Sequence, residues 1–245
     1  MNKDKVTKDI KEARENADVV IVFPHWGTEN SFGISDYQKE YTELFSSLGV
    51  DLVIGCHPHV IQPVKEVTND KGHKMLVYYS LGNFISHQIE IDQLCGGMAS
   101  VDIEKKNGEI TIEGKLVPIV THYSRTDSGK FTFDVYKLSD YNEELASSHS
   151  QKGGTPEYYN KLKEEKLTFR TNVKAVTHFS SLIHNLLKNV SWVAKERSLI
   201  ICTINRANKT SCLSVLVLSP RENCPCIIIR MKIHITFVDS YEAVN

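Results

Sequence analysis

Three histidines carry the residue type and spacing that bind metal ions. His25 follows the uncharged run Val19 to Phe23, and His57 and His59 follow the uncharged run Leu52 to Ile54, in the stretch Cys56-His57-Pro58-His59-Val60. Imidazole is the commonest protein ligand for divalent metals. A lone histidine is more often a satisfied loop residue, but three of them arriving at two strand ends favour ligation. Pro58 disfavours helical backbone at the residue before it, so His57 is predicted to be extended, with the two flanking rings pointing different ways. Glu29 and Asp51 are the nearest acidic residues, and Asp51 begins its strand on the far side of the sheet from the histidines. Ser80 and Asn83 follow another apolar run, where Asn83 could orient a substrate or build a turn with Gly82.

The elements that must position these groups are legible around them. Both uncharged runs are bounded by turn signals, as buried parallel strands are. Between them, Ser35-Asp36-Tyr37-Gln38 reads as a capping box. Tyr37, Tyr41, Leu44, Phe45 and Leu48 then recur at helical spacing until Gly49 stops the helix. The unit is strand, helix, strand, and ligands of such units gather beyond the carboxyl ends of the strands. Upstream, Val6, Ile10, Ala13 and Ala17 share one face of a first helix.

Downstream, Val60 to Val67 and Lys74 to Ser80 read as strands joined by a loop over 68–72. Ser100 to Lys105 and Glu109 to Glu113 flank Asn107-Gly108, a type I′ turn signal. Lys115 to His122 and Lys130 to Leu138 continue the β pattern. Ser139 is predicted to cap a short helix to about Ser147, and Pro156 to open another to about Lys166. The fold class is therefore α/β, a βαβ unit followed by a more antiparallel layer.

Composition excludes more than it selects. The 245 residues are 41% hydrophobic and 24% charged with a net charge of −1, as in ordinary globular proteins. The balance is uneven, with −6 over 1–170 and +5 over 171–245. All 13 glycines lie at or before Gly154, and four of the six cysteines, Cys202, Cys212, Cys224 and Cys226, lie after it. Their spacing fits neither a zinc knuckle nor a disulfide framework. Scattered basic residues without a stripe argue against nucleic acid as a partner. There is no Walker-type phosphate loop and no G-x-S-x-G elbow. The apolar runs of the last third are too short or too interrupted by charge to span a bilayer directly. We read residues 1–167 as one unit and 168–245 as a tail of unrelated composition, non-native or disordered, or else a small α+β appendage. In that tail 179–193 has a helical apolar face, and SLIICTI, SCLSVLVL and CIIIRMKIHITFV read as strands.

The stretches HWGTE (25–29), GVDLVIGCHPHVIQPV (49–64) and YYSLGNF (78–84) closely resemble the CapA family of poly-gamma-glutamate capsule synthesis proteins, which is similar to calcineurin-like metallophosphoesterases. The resemblance runs from about Val6 to Leu167 and implies the carboxy-terminal half of such a domain. It implies a dinuclear site of divalent metal ions, with His25 and His57 on one metal and His59 on the other, serving metal-dependent hydrolysis or transfer. Glu29 lies outside the ligand shell by that analogy, and Glu29 and Asn83 become site-lining candidates. The aspartate ligands of the family's first half have no counterpart here, which predicts weak metal binding and little turnover. An alternative is a truncated, non-catalytic product or a scaffold component. The implied partners are other capsule-synthesis proteins and an anionic polymer. Such proteins commonly work at the outer face of the membrane, whereas this chain as written shows neither signal nor anchor and would be cytoplasmic. The Val19 strand would keep an open edge, making the fold marginal. His73, His87, His122 and His149 are read as surface or hydrogen-bonding residues, Cys56 as packing, and Trp26 as either a wall of the site or core.

Overall fold

A computed structural model describes residues 1–86, 88–106, 109–166, 173–177, 191–196, 199–204, 211–217 and 227–235, the last five stretches and the ends of some elements as backbone. His87 and the Asn107-Gly108 turn lie outside the described residues.

The chain opens with α1 (Lys3–Asn16), β1 (Val19–Pro24), α2 (Asp36–Ser47) and β2 (Leu52–Ile54), and β1 and β2 pair in parallel. Two short strands follow, β3 (Val64–Thr68) and β4 (Lys74–Tyr78). β4 adds in parallel to β2, and β3 pairs antiparallel on its outside. Val60 to Pro63, expected within the third strand, lie before it, joined to the chain just beyond β4 by a bridge from Ile61 to Leu81 and by the Tyr79 amide donating to the Pro63 carbonyl at 2.9 Å. After a short helix α3 (Ile91–Leu94) come the long strands β5 (Cys95–Lys106) and β6 (Glu109–Arg125) and the edge strand β7 (Phe131–Lys137). They form an antiparallel run in which Lys106 stands opposite Glu109, the register of a two-residue hairpin. The helices α4 (Glu143–Ser148) and α5 (Pro156–Lys166) close this part. The cap of α4 is Asn142, whose side chain accepts from the Leu145 amide, rather than Ser139, which sits in a 3-10 turn.

Strands from the last third extend both sheets. β8 (Val173–Thr177) pairs with β6, β9 (Ser191–Glu196) with β10 (Leu199–Ile204), and β11 (Ser211–Val217) with β12 (Ile227–Ile235), which lies parallel to β5. β10 runs antiparallel to β1 over its whole length, Val19 opposite Ile204, so the expected open edge of β1 is paired. Val193, expected on a helix, is in β9, and the rest of that helical stretch before Ser191 lies outside the described residues. No described helix is long and apolar enough to cross a membrane.

The pattern of β1 explains the layers. All six of its residues are buried, and alternate side chains face opposite ways. Val19, Ile21 and Phe23 pack with Leu52, Ile54, Leu76 and Tyr78 against Val101, Ile103 and Ile112 of the second sheet. Val20 and Val22 pack with Val53 and Val77 under Val6 and Ile10 of α1 and Tyr41 and Phe45 of α2. Burying each such aliphatic side chain is worth about 1.5–3 kcal/mol. The Ser35 capping box is complete: the Gln38 amide donates to Ser35 Oγ at 3.2 Å and the Ser35 amide to Gln38 Oε1 at 3.0 Å.

A third cluster, around Tyr123, Tyr141 and Tyr159, encloses two imidazoles. His122 and His149 are buried, with ring centroids 4.7 Å apart. His149 Nδ1 accepts from the Gln151 amide at 2.9 Å, which leaves Nε2–H to donate to the Thr121 carbonyl at 3.2 Å. His122 Nδ1 lies 3.4 Å from the Tyr141 hydroxyl. Burial lowers both imidazoles from their ordinary value of 6.5, with Asp134 opposing at His122. At His149 the Thr121 hydrogen bond opposes, while His122 and Lys152 add to the lowering. The folded state therefore holds both rings neutral. As pH falls below about 6.5 the unfolded chain takes up protons first, and stability is lost as pH drops through the folded-state values. The urea midpoint should fall between pH 7.5 and 5, and fall less in the His122→Gln/His149→Gln variant. Parallel pH profiles would contradict this.

Candidate metal centre

The carboxyl ends of the three parallel strands converge. Beyond β1 the pairing continues for one more step, with the Cys56 amide donating to the Pro24 carbonyl at 3.1 Å and the Trp26 amide to the Cys56 carbonyl at 3.0 Å. This sets His25 beside the His-Pro-His loop, its ring centroid 4.4 Å from that of His57. Beyond β4, Ser80 Oγ accepts from the Gly82 amide, and Gly82 at φ +66° turns the chain so that Asn83 meets His59.

The ligand-capable atoms of Glu29, His57 and His59 lie within 4.8 Å of one another. Among the described residues this is the one group of three or more such side chains that close. Glu29 is 60% exposed and its Oε1 stands 3.9 Å from His57 Nδ1. His59 is buried. The set differs from the expected trio, since Glu29 enters it and the His25 ring lies beside it, tilted 40° to that of His57.

Backbone conformation accounts for the difference. Asn30, His57 and His59 take φ values of +60°, +105° and +62°, the three positive values at non-glycine residues in the described chain. The extended conformation expected for His57 is thus corrected: the loop folds back on itself, and the Pro58 carbonyl accepts from the Asn30 amide at 2.8 Å. That bond holds the Glu29 loop against the His-Pro-His loop. Left-handed backbone at residues with side chains costs about 1–3 kcal/mol each and persists where surrounding contacts impose it.

Asn83 is one such contact. Its Nδ2 donates to Gln88 Oε1 at 3.0 Å and to the Gln93 carbonyl at 3.2 Å, so its Oδ1 must be the atom 2.9 Å from His59 Nδ1. His59 then carries its proton on Nδ1 and keeps the Nε2 lone pair, the tautomer a metal requires. Asn83 is 1% exposed, so it braces His59. A second support lies behind the loop, where Gln38 Nε2 donates to Gln62 Oε1 and Gln62 Nε2 donates to the carbonyls of Ser31 and Gly33. Trp26 belongs to the core, stacked between Phe45 and Tyr79 with its Nε1–H on the Tyr79 carbonyl. Cys56 is half-buried, its Sγ 3.6 Å from the Pro24 carbonyl. Asp51 is paired with Arg14 and is not part of the Glu29, His57 and His59 group.

One carboxylate and two imidazoles, one of them with a fixed tautomer, fit a single borderline divalent ion such as zinc, with open positions left on it. A pair of ions would call for a bridging carboxylate in addition.

Residues 1–88 match the family described as "Bacterial capsule synthesis protein PGA_cap", and Glu29, His57, His59 and Asn83 all fall within the match. The chain is 40% identical over 79 residues to "PGA biosynthesis protein CapA" of Bacillus subtilis (strain 168), covering 32% of this chain and 20% of that protein. It is 36% identical over 92 residues to "Capsule biosynthesis protein CapA" of Bacillus anthracis, covering 36% of this chain and 21% of that protein. The aligned stretch is thus about a fifth of the length of these relatives.

Proposed function

Because its residues 1–88 make this chain a member of the bacterial capsule synthesis family PGA_cap, we propose that Glu29, His57 and His59 hold a divalent metal ion. In this reading they serve hydrolysis or transfer in building an anionic surface polymer. The observation that carries the reading is the approach of three ligand atoms to within 4.8 Å at the carboxyl ends of adjacent strands. When bound, the ion supplies Lewis-acid polarisation of a substrate oxygen. The chain's own residues supply the rest. Asn83 holds the His59 proton on Nδ1. Exposed Glu29 contributes negative charge and stands where a substrate can approach from solvent.

Zinc titration of the whole chain by calorimetry tests the reading. One site per chain is expected, weakened at least tenfold in His59→Ala. Binding unaffected by that substitution would overturn it. A non-catalytic role is favoured by one observation, the single carboxylate in the group. Zinc binding without turnover of a simple phosphodiester would support that alternative. Turnover that disappears in His59→Ala would exclude it.

A further inference from the structure

We propose that Gln93, remote in sequence from every ligand, is a positioning residue that sets both the carboxylate and the buried imidazole of the metal centre. The proposal rests on the metal reading above. Gln93 is 7% exposed and lies on α3, at the far side of the loop that leaves Asn83. Its two ends reach residues that hold two different ligands. Its side-chain Nε2–H donates to Asn30 Oδ1 at 2.6 Å, and Asn30 is the residue after Glu29. Its backbone carbonyl accepts from Asn83 Nδ2 at 3.2 Å, and Asn83 Oδ1 accepts from His59 Nδ1–H.

The Asn30 bond matters because of what Asn30 does. Its left-handed backbone aims its amide at the Pro58 carbonyl, between the two histidines. The Asn30 side chain is thus clamped by Gln93 while its backbone clamps the His-Pro-His loop. Without the Gln93 donor, Glu29 would sit on an exposed loop with one tether fewer, and the three ligand atoms would spend less time within reach of one ion. Residues that orient ligands in this way typically change metal affinity about 10–100-fold when removed.

Cobalt(II) is the probe, because its visible absorption reports coordination geometry as well as binding. Gln93→Leu removes the donor but keeps the backbone carbonyl. Asn30→Gly removes the acceptor and suits the left-handed backbone, so it is the variant that folds if Gln93→Leu does not. The expected result is Co(II) affinity reduced about 10–100-fold in each variant that folds, with altered absorption bands. The metal-free thermal midpoint of Asn30→Gly should be no lower than that of the unsubstituted chain. Asn30→Asp, which keeps the acceptor, should bind at least as tightly as the unsubstituted chain. Unchanged affinity and bands in Asn30→Gly would overturn the proposal and leave the metal reading standing. A loss of binding matched by a fall in its metal-free midpoint would also overturn it, by making the tether a prop of the fold. Absence of Co(II) and zinc binding by the unsubstituted chain would overturn the metal reading itself, and this proposal with it.

Discussion

Replacing Asp51 with alanine is expected to lower the unfolding free energy by about 3–5 kcal/mol. The carboxylate is 2% exposed and joins three elements. Its Oδ2 accepts from Arg14 Nη1 at 2.5 Å and from the Val20 amide at 2.8 Å. His73 Nε2 stands 3.8 Å from Oδ1. Arg14 also donates to the carbonyls of Ala17, Asp18 and Gly49, so one guanidinium ties the end of α1 to the starts of β1 and β2. Removing the carboxylate takes from a half-buried cation its buried anionic partner and from the Val20 amide its side-chain acceptor. The loss comes chiefly from stranding these partners, since a buried pair gains little net of its own desolvation. Replacing both together, Arg14→Met with Asp51→Leu, should therefore restore part of it. Urea unfolding of the three variants at pH 7.5 checks the claim. A loss below about 1 kcal/mol in Asp51→Ala would place the pair among surface bridges.

Gly55→Ala is the second large effect, and it reaches the proposed metal centre. Gly55 closes β2 just before Cys56 and His57, and its amide donates to the Tyr78 carbonyl at 2.7 Å. A Cβ there would stand 2.2 Å from the Tyr79 carbonyl oxygen and 2.3 Å from Trp26 Nε1. Those two atoms are hydrogen-bonded to each other, and one is backbone of the loop that follows β4. Neither can yield without separating β2 from β4 or expelling Trp26 from its stack. The cost should reach or exceed the upper end of the ~1–3 kcal/mol usual for overpacking. Because the displaced segment leads directly into His57 and Pro58, zinc affinity should fall even where the variant folds. Thermal unfolding with a zinc titration checks both halves, and wild-type values in either would refute that half.

What the sequence made legible follows from how local the causes are. The capping box at Ser35, the doubly buried run of β1 and the arrival of His57, His59 and Asn83 at strand ends each rest on a few adjacent residues, and pattern reads them well. The entry of Glu29 into the ligand group does not. It depends on left-handed backbone at Asn30 and His57, against the proline rule, and on a hydrogen bond from Gln93, 63 positions away. The one local hint was that asparagine follows Glu29, since asparagine tolerates that conformation better than most residues. Ser139, expected to cap α4, is taken up in a 3-10 turn over Leu138–Asp140, and Asn142 caps the helix instead. The pairing of β1 with β10 was out of reach for the same reason as Gln93, because no local signal says which distant apolar run will lie along an edge.

The three left-handed residues around the proposed metal centre also say how this stretch would respond to selection. Glycine takes such backbone at no steric cost, so at positions 30, 57 and 59 backbone conformation taken by itself favours a residue that can do no chemistry. A population of variants chosen for heat resistance alone would drift toward glycine there and shed its ligands. Retention of asparagine and two histidines at those positions would then be a sign that binding, and not only folding, was under selection.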